Sequence, residues 1–182
     1  MVLVLSLDAS TTTIGWALFS HDNGKDIKLI KHDFYKPPKD GSIFERLSIT
    51  KKYICDLITE LEPDDLVIED IVQFMAGGSG AKTIIPLAVF NRTLGLSYYE
   101  MTGKQPHLLN VMAIRHTLKT NKKLPAKEDM PELVAKHLKI KFPYFTKYNK
   151  RKKKDEICPE VFDVADAMAV GLAFIKRSSL SV

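Results

Sequence analysis

Apolar and polar positions change period several times along this chain of 182 residues, and each change marks an element. Residues 2–8 and 14–20 are apolar runs of strand length, separated by a short polar stretch, the pattern of adjacent strands in a hairpin. Residues 26–34 form a third candidate strand after the turn HDNGK. From Ser42 the period becomes helical: Leu47, Ile54, Leu57, Ile58 and Leu61 share one face, with lysines and acids between them. Pro63 stands at the expected stop, and DLVIE at residues 65–69 reads as a short buried strand.

The loop MAGGSGAK leads to a helix expected over residues 82–101, apolar nearly all round. Ile84, Leu87 and Ala88 lie on one side, Ile85, Val89 and Leu96 on another. One face can pack on a sheet; the other needs a second cover, and a partner subunit is expected. Pro86 requires this helix to begin close before it. A short strand near 107–111 and helices near 113–118 and 128–140 follow, then a loop over 141–159 and a last helix over 160–177. This order gives a single α/β domain over residues 1–182, with a mixed five-stranded sheet flanked by helices. No internal repeat or dividing linker interrupts it.

Three of these elements carry carboxylates at apolar positions. Residues 3–19 read LVLSLDASTTTIGWALF, so the first strand ends on Asp8; the strand DLVIE ends on Glu69. In EVFDVADAMAVG, Asp163 and Asp166 are three apart on the otherwise apolar face of the last helix. An acid ending a buried strand is costly without a cation or a capped turn. With the strands adjacent and the helix across them, four carboxylates converge, and their repulsion calls for divalent cations, as in two-metal sites. Hard oxygen ligands favour Mg²⁺ or Mn²⁺. Asp70, beside Glu69, points to the opposite face by strand alternation.

The order D…E…DxxD, the opening LSLDASTTTIGWALF, the segment LVIEDIVQFMAGG and the closing VADAMAVGLAF resemble RuvC-type Holliday junction resolvases of the RNase H-like superfamily. The resemblance runs from residue 2 to about residue 175. It implies an RNase H-like fold and a homodimer that cuts four-way DNA junctions in recombination or repair, with two Mg²⁺ or Mn²⁺ ions per site. It implies that Asp8, Glu69, Asp163 and Asp166 are the metal-binding, catalytic acids. Arg115 in MAIRHTL and Lys127 in LPAKEDM match basic residues near the scissile backbone, and Phe74 matches the aromatic set against bases at the crossover.

Charge divides the chain. Residues 1–100 carry 10 Lys and Arg against 14 Asp and Glu, net −4; residues 101–182 carry 17 against 8, net +9. The second half therefore offers a surface for polyanions. In TKYNKRKKKDE the run Lys150, Arg151, Lys152, Lys153 and Lys154 follows Lys147, with aromatic residues interleaved, and reads as a DNA-phosphate loop. A solvated loop or a nuclear localisation signal shares that composition. His116, beside Arg115, is a weaker candidate for backbone phosphate.

Other chemistries fit less well. GGSG lacks the GK[ST] ending of a phosphate-cradling loop. Cys55 and Cys158 provide neither a disulfide framework nor a zinc pair. No apolar run approaches the roughly 20 residues of a membrane span, and MVLVLSLD lacks a basic leader, so an intracellular, cytoplasmic protein is expected. LDASTTTIGWA also looks like the first phosphate loop of actin-like sugar kinases, which require two related domains and a second loop that this chain lacks. An RNA–DNA hybrid nuclease, a guide-dependent nuclease domain and a non-catalytic junction-binding protein remain alternatives on the same fold.

Overall fold

The apolar run at the start of the chain forms the central strand, β1 (Val2–Ala9), of a five-stranded sheet in the computed structural model. That structure describes residues 1–71, 80–120, 124–149 and 153–179. β2 (Ile14–Asp22) and β3 (Lys25–Tyr35) continue the sheet antiparallel on one side. β4 (Asp65–Glu69) and β5 (His107–Leu109) continue it parallel on the other, giving the order β3-β2-β1-β4-β5. The β2–β3 turn uses Asn23 and Gly24 at φ 47° and 76°, the left-handed pair that suits a tight hairpin. β3 is the edge strand on the antiparallel side and alternates exposed with half-buried residues.

Alternation along β1 sends Leu5 and Leu7 to one face and Val4 to the other. The first face is covered by α1 (Ile43–Leu61) and α2 (Ala81–Thr102), through Ile54, Leu57, Ile58, Leu94 and Tyr98. A reciprocal capping box starts α1: Ser42 Oγ accepts from the Glu45 N–H at 3.3 Å, and Glu45 Oε2 from the Ser42 N–H at 2.7 Å. α3 (Val111–Leu118), α4 (Met130–Leu138) and α5 (Glu160–Ser178) cover the second face. α5 is buried along most of its length, and its small residues let it lie close on β1 and β2.

The mixed sheet, the helical period of α1 and the two-faced character of α2 follow the sequence pattern. Ile85, Val89 and Leu96 stand exposed on α2, while Phe90, Leu94 and Tyr98 are buried. α2 begins five residues before Pro86, so Pro86 lies inside the helix beyond its first turn, where the Lys82 carbonyl lacks the N–H that would otherwise bond it.

Two expectations are corrected. The expected loop over 141–159 contains an antiparallel hairpin, β6 (Thr146–Asn149) and β7 (Lys154–Ile157). TKYN and KDEI are mostly polar, and none of their described side chains is buried, so no apolar alternation marks them. Tertiary contacts fix the hairpin instead: the Cys158 N–H donates to the Phe145 carbonyl at 2.9 Å, and the Phe145 ring packs edge-on against Phe34 of β3. The helix expected over 128–140 is divided into a 3₁₀ turn at Lys127–Asp129 followed by α4, with Pro131 in the first turn of α4. Among the described residues no helix is long and apolar enough to cross a membrane, and Cys55 and Cys158 are free.

Candidate active site

The β1–β4 ladder ends at the pair Leu7–Ile68. Both side chains point to the α1/α2 face, so the next residues, Asp8 and Glu69, point to the α5 face. They stand side by side at the carboxyl ends of two parallel strands, where the ladder has just opened. Asp70 turns the other way and accepts from Arg92 Nη2 on α2 at 2.8 Å. The residue numbers therefore give Glu69 and Asp70 opposite surroundings.

α5 brings the other two acids. Its first turns cross β2 at Gly15, which is paired with Asp8. A Cβ at Gly15 would lie 2.1 Å from the Asp163 carbonyl oxygen, so glycine alone permits this approach. Asp166, one turn further, lines a cleft of about 150 Å³ with Asp8, Glu69, Arg115 and Lys127. Asp163 stands at its rim, joined to the group by Lys127, whose Nζ lies 3.2 Å from Asp166 Oδ2 and 3.7 Å from Asp163 Oδ1.

The turn after Asp8 is closed on itself. Ser10 Oγ accepts from the Thr12 and Thr13 N–H groups at 3.2 and 2.9 Å and donates to the Thr13 carbonyl at 2.7 Å. Arg46 of α1 anchors it, donating through Nη2 to the Thr11 carbonyl and through Nε to the Pro38 carbonyl, both at 2.6 Å.

Burial and crowding act together on the acids. Burial raises Asp8 well above the ordinary carboxylate range, and the charges of Glu69, Asp166 and Asp163 raise it further. Glu69 is pushed up to about 7 by burial and then by Asp166, against the opposing pull of Arg115 and Lys127. Burial also raises Asp163 and Asp166, with Lys127 resisting in both. Burial works against the Lys127 charge, yet Asp166 and its neighbours outweigh it, and the Lys127 value is raised.

Folding thus favours the neutral form of Glu69. Its contribution to stability is full below the ordinary value of 4.5 and is lost as pH rises through about 7. At pH 8 the loss is on the order of 3 kcal/mol, shared with the neighbouring acids. Chemical unfolding in chelator at pH 5 and pH 8 is expected to show this fall, and Glu69→Gln to flatten it. Equal slopes in the two proteins would mean that Glu69 ionises normally.

Four carboxylates and no thiolate or imidazole make a donor set suited to hard divalent cations. Among the described residues, no three His, Cys, Asp or Glu side chains close into a ready-made cage; the Lys127 ammonium faces Asp163 and Asp166 instead. Asp8, Glu69 and Asp166 are the residues placed to hold a cation, with Asp163 at the edge.

The remaining expected residues fall elsewhere. Arg115 lines the cleft on α3, while His116 is exposed. Lys153 and Lys154 are exposed where the hairpin enters β7, away from the cleft lining. Phe74, Lys150, Arg151 and Lys152 lie outside the described residues. Gly15 and Arg46 escaped the sequence reading. A lone glycine in an apolar strand is the signal that a backbone approaches closely; nothing in the sequence marks Arg46.

No protein-family model matches the sequence, and no curated protein matches it. Solved structures do. Thermus thermophilus RuvC in complex with a Holliday junction substrate is similar at TM-score 0.70 and 16% identity, over 95% of this chain and 92% of that one. The yeast mitochondrial Holliday junction resolvase is similar at TM-score 0.67 and 13% identity, over 98% and 80%. Fowlpox virus resolvase, solved with Holliday junction DNA, is similar at TM-score 0.50 and 16% identity, over 96% and 97%. The chain has the RuvC-type, RNase H-like fold, matched over 95–98% of its length.

Proposed function

We propose that this chain is a divalent-metal-dependent endonuclease that resolves four-way DNA junctions. The observation that carries this reading is the convergence of acids from three elements, Asp8, Glu69 and Asp166 with Asp163 at the rim, on a cleft that also holds Arg115 and Lys127. The resolvase identity of the proteins that share the fold supports the choice of substrate.

Two Mg²⁺ or Mn²⁺ ions, when bound, supply an activated water and charge stabilisation for displacement at phosphorus. Asp8, Glu69 and Asp166 would hold them, with Asp163 assisting from the rim, and the burial of the first three would keep bulk water from screening their charge. Arg115 and Lys127 orient the scissile phosphate, since each presents a cation at the same cleft. Lys153 and Lys154, with the preceding basic run, contact backbone phosphates further out. Two symmetric nicks require two sites, and a two-fold pair of copies joined through the exposed face of α2 presents them.

A cleavage assay on a four-way junction, a linear duplex and an RNA–DNA hybrid, each with Mg²⁺ or Mn²⁺, tests the proposal. Paired nicks in the junction, with the duplex left intact, are the expected result. Cleavage of the hybrid alone would move the substrate, and tight junction binding with no cleavage under any cation would remove the catalytic reading.

A further inference from the structure

The end of β4 poses a problem that the ladder does not solve. The Asp70 N–H donates to the Leu109 carbonyl on β5 at 2.9 Å. A trans peptide points its C=O and N–H in opposite directions, so the Glu69 carbonyl faces the β1 side, where pairing has already ended at Ile68. A carbonyl left there without a donor would let the strand end rotate, and the Glu69 carboxylate with it.

α2 supplies the donor. Asn91, 2% exposed on the inner face of the helix, donates from Nδ2 to the Glu69 carbonyl at 2.8 Å. Its orientation is fixed by its neighbour: Arg92 Nη1 donates to Asn91 Oδ1 at 2.9 Å, so Nδ2 must face Glu69. Arg92 Nη2 then reaches the Asp70 carboxylate at 2.8 Å, and Asp70 Oδ1 also accepts from the Ile71 N–H at 2.9 Å. Both sides of the Glu69–Asp70 peptide are therefore held, one by β5 and one by α2.

We propose that Asn91, oriented by Arg92, is the positioning residue for Glu69, fixing the strand end so that the Glu69 carboxylate faces the cleft beside Asp8, where the two would hold a cation. The inference rests on the metal-dependent reading of the cleft. It also joins the cleft to α2, whose opposite face carries the exposed Leu96 and Tyr99.

Mn²⁺ binding to the purified protein, followed by calorimetry and by the loss of free-Mn²⁺ electron paramagnetic resonance, is the direct test. Asn91→Leu is expected to raise the binding midpoint by roughly tenfold and to lower junction cleavage by about 10- to 100-fold, the usual effect of losing a group that orients a ligand. Arg92→Met should move both in the same direction by less, and Asn91→Gln should recover part of the loss. Ile54→Val, a core change matched for melting temperature, should leave the midpoint alone. If Asn91→Leu does not fold, the half-exposed Arg92→Met decides. A folded variant that binds Mn²⁺ as the wild type does, while Glu69→Gln has lost binding, overturns the role of Asn91. Wild type and Glu69→Gln both failing to bind would instead overturn the metal reading, and this inference with it.

Discussion

Exchange of Asp8, Glu69 or Asp166 for the matching amide is expected to lower junction cleavage by roughly a hundredfold to a thousandfold or more, with junction binding kept. An amide preserves the side-chain shape but withdraws one negative charge from the cleft. A neutral oxygen cannot hold a hard cation as a carboxylate does, and bound metal stabilises the transition state by several kcal/mol. Each ~1.4 kcal/mol of that loss is tenfold in rate. Binding should persist or tighten, because less negative charge then faces the DNA backbone. Asp163→Asn should do less harm, since Asp163 stands at the rim rather than in the lining. Replacing Mg²⁺ by Ca²⁺ should allow binding without efficient cutting. Asp70→Asn is the internal control: it keeps an oxygen for Arg92 and removes no charge from the cleft. Gel-shift and cleavage assays on one junction separate the two effects. Cleavage by all three amide variants at the wild-type rate would end the metal-nuclease reading.

The acids were legible in the sequence because each sits where an apolar period stops or is interrupted. Asp8 and Glu69 each close a buried strand, and a period of two is enough to send Glu69 and Asp70 to opposite faces. Asp163 and Asp166 interrupt an apolar helical face, which a period of 3.6 exposes. What stayed hidden depends on distance across the fold rather than on period. The hairpin at 146–157 is polar on both strands, and Phe145 anchors it to β3 through residues more than a hundred positions away. Asn91 looks like an ordinary polar break in an apolar helix until the end of the β1–β4 ladder shows which carbonyl lacks a donor. The resemblance places Lys127 near the scissile backbone; its contacts with Asp163 and Asp166 accompany a 3₁₀ turn at 127–129, which the helical period does not distinguish from the helix after it.

Gly15→Ala is expected to damage both the fold and the chemistry, and in a way that separates the two. The added methyl would meet the Asp163 carbonyl oxygen at 2.1 Å, its carbon at 2.4 Å and the Val164 nitrogen at 2.8 Å. All three are backbone atoms of α5, so no side-chain rotation relieves the contact; the helix itself must move by about 1 Å to reach ordinary packing distance. Overpacking of this kind lowers stability by about 1–3 kcal/mol. The displaced segment carries Asp163 and Asp166, and a misplacement of about 1 Å is enough to lower a rate by about a hundredfold. Gly171→Ala is the matched comparison. Its methyl would meet the Phe19 ring at 2.5 Å and Ser6 Oγ at 2.8 Å, side-chain atoms beneath the later turns of α5. That variant should lose stability too, because Phe19 is fully buried, yet its strain falls five residues beyond Asp166. Cleavage per folded molecule should therefore fall steeply for Gly15→Ala and much less for Gly171→Ala when the two are compared at equal fraction folded. Equal specific activities would mean that the close approach of α5 to β2 sets the stability of the domain without setting the geometry of the acids.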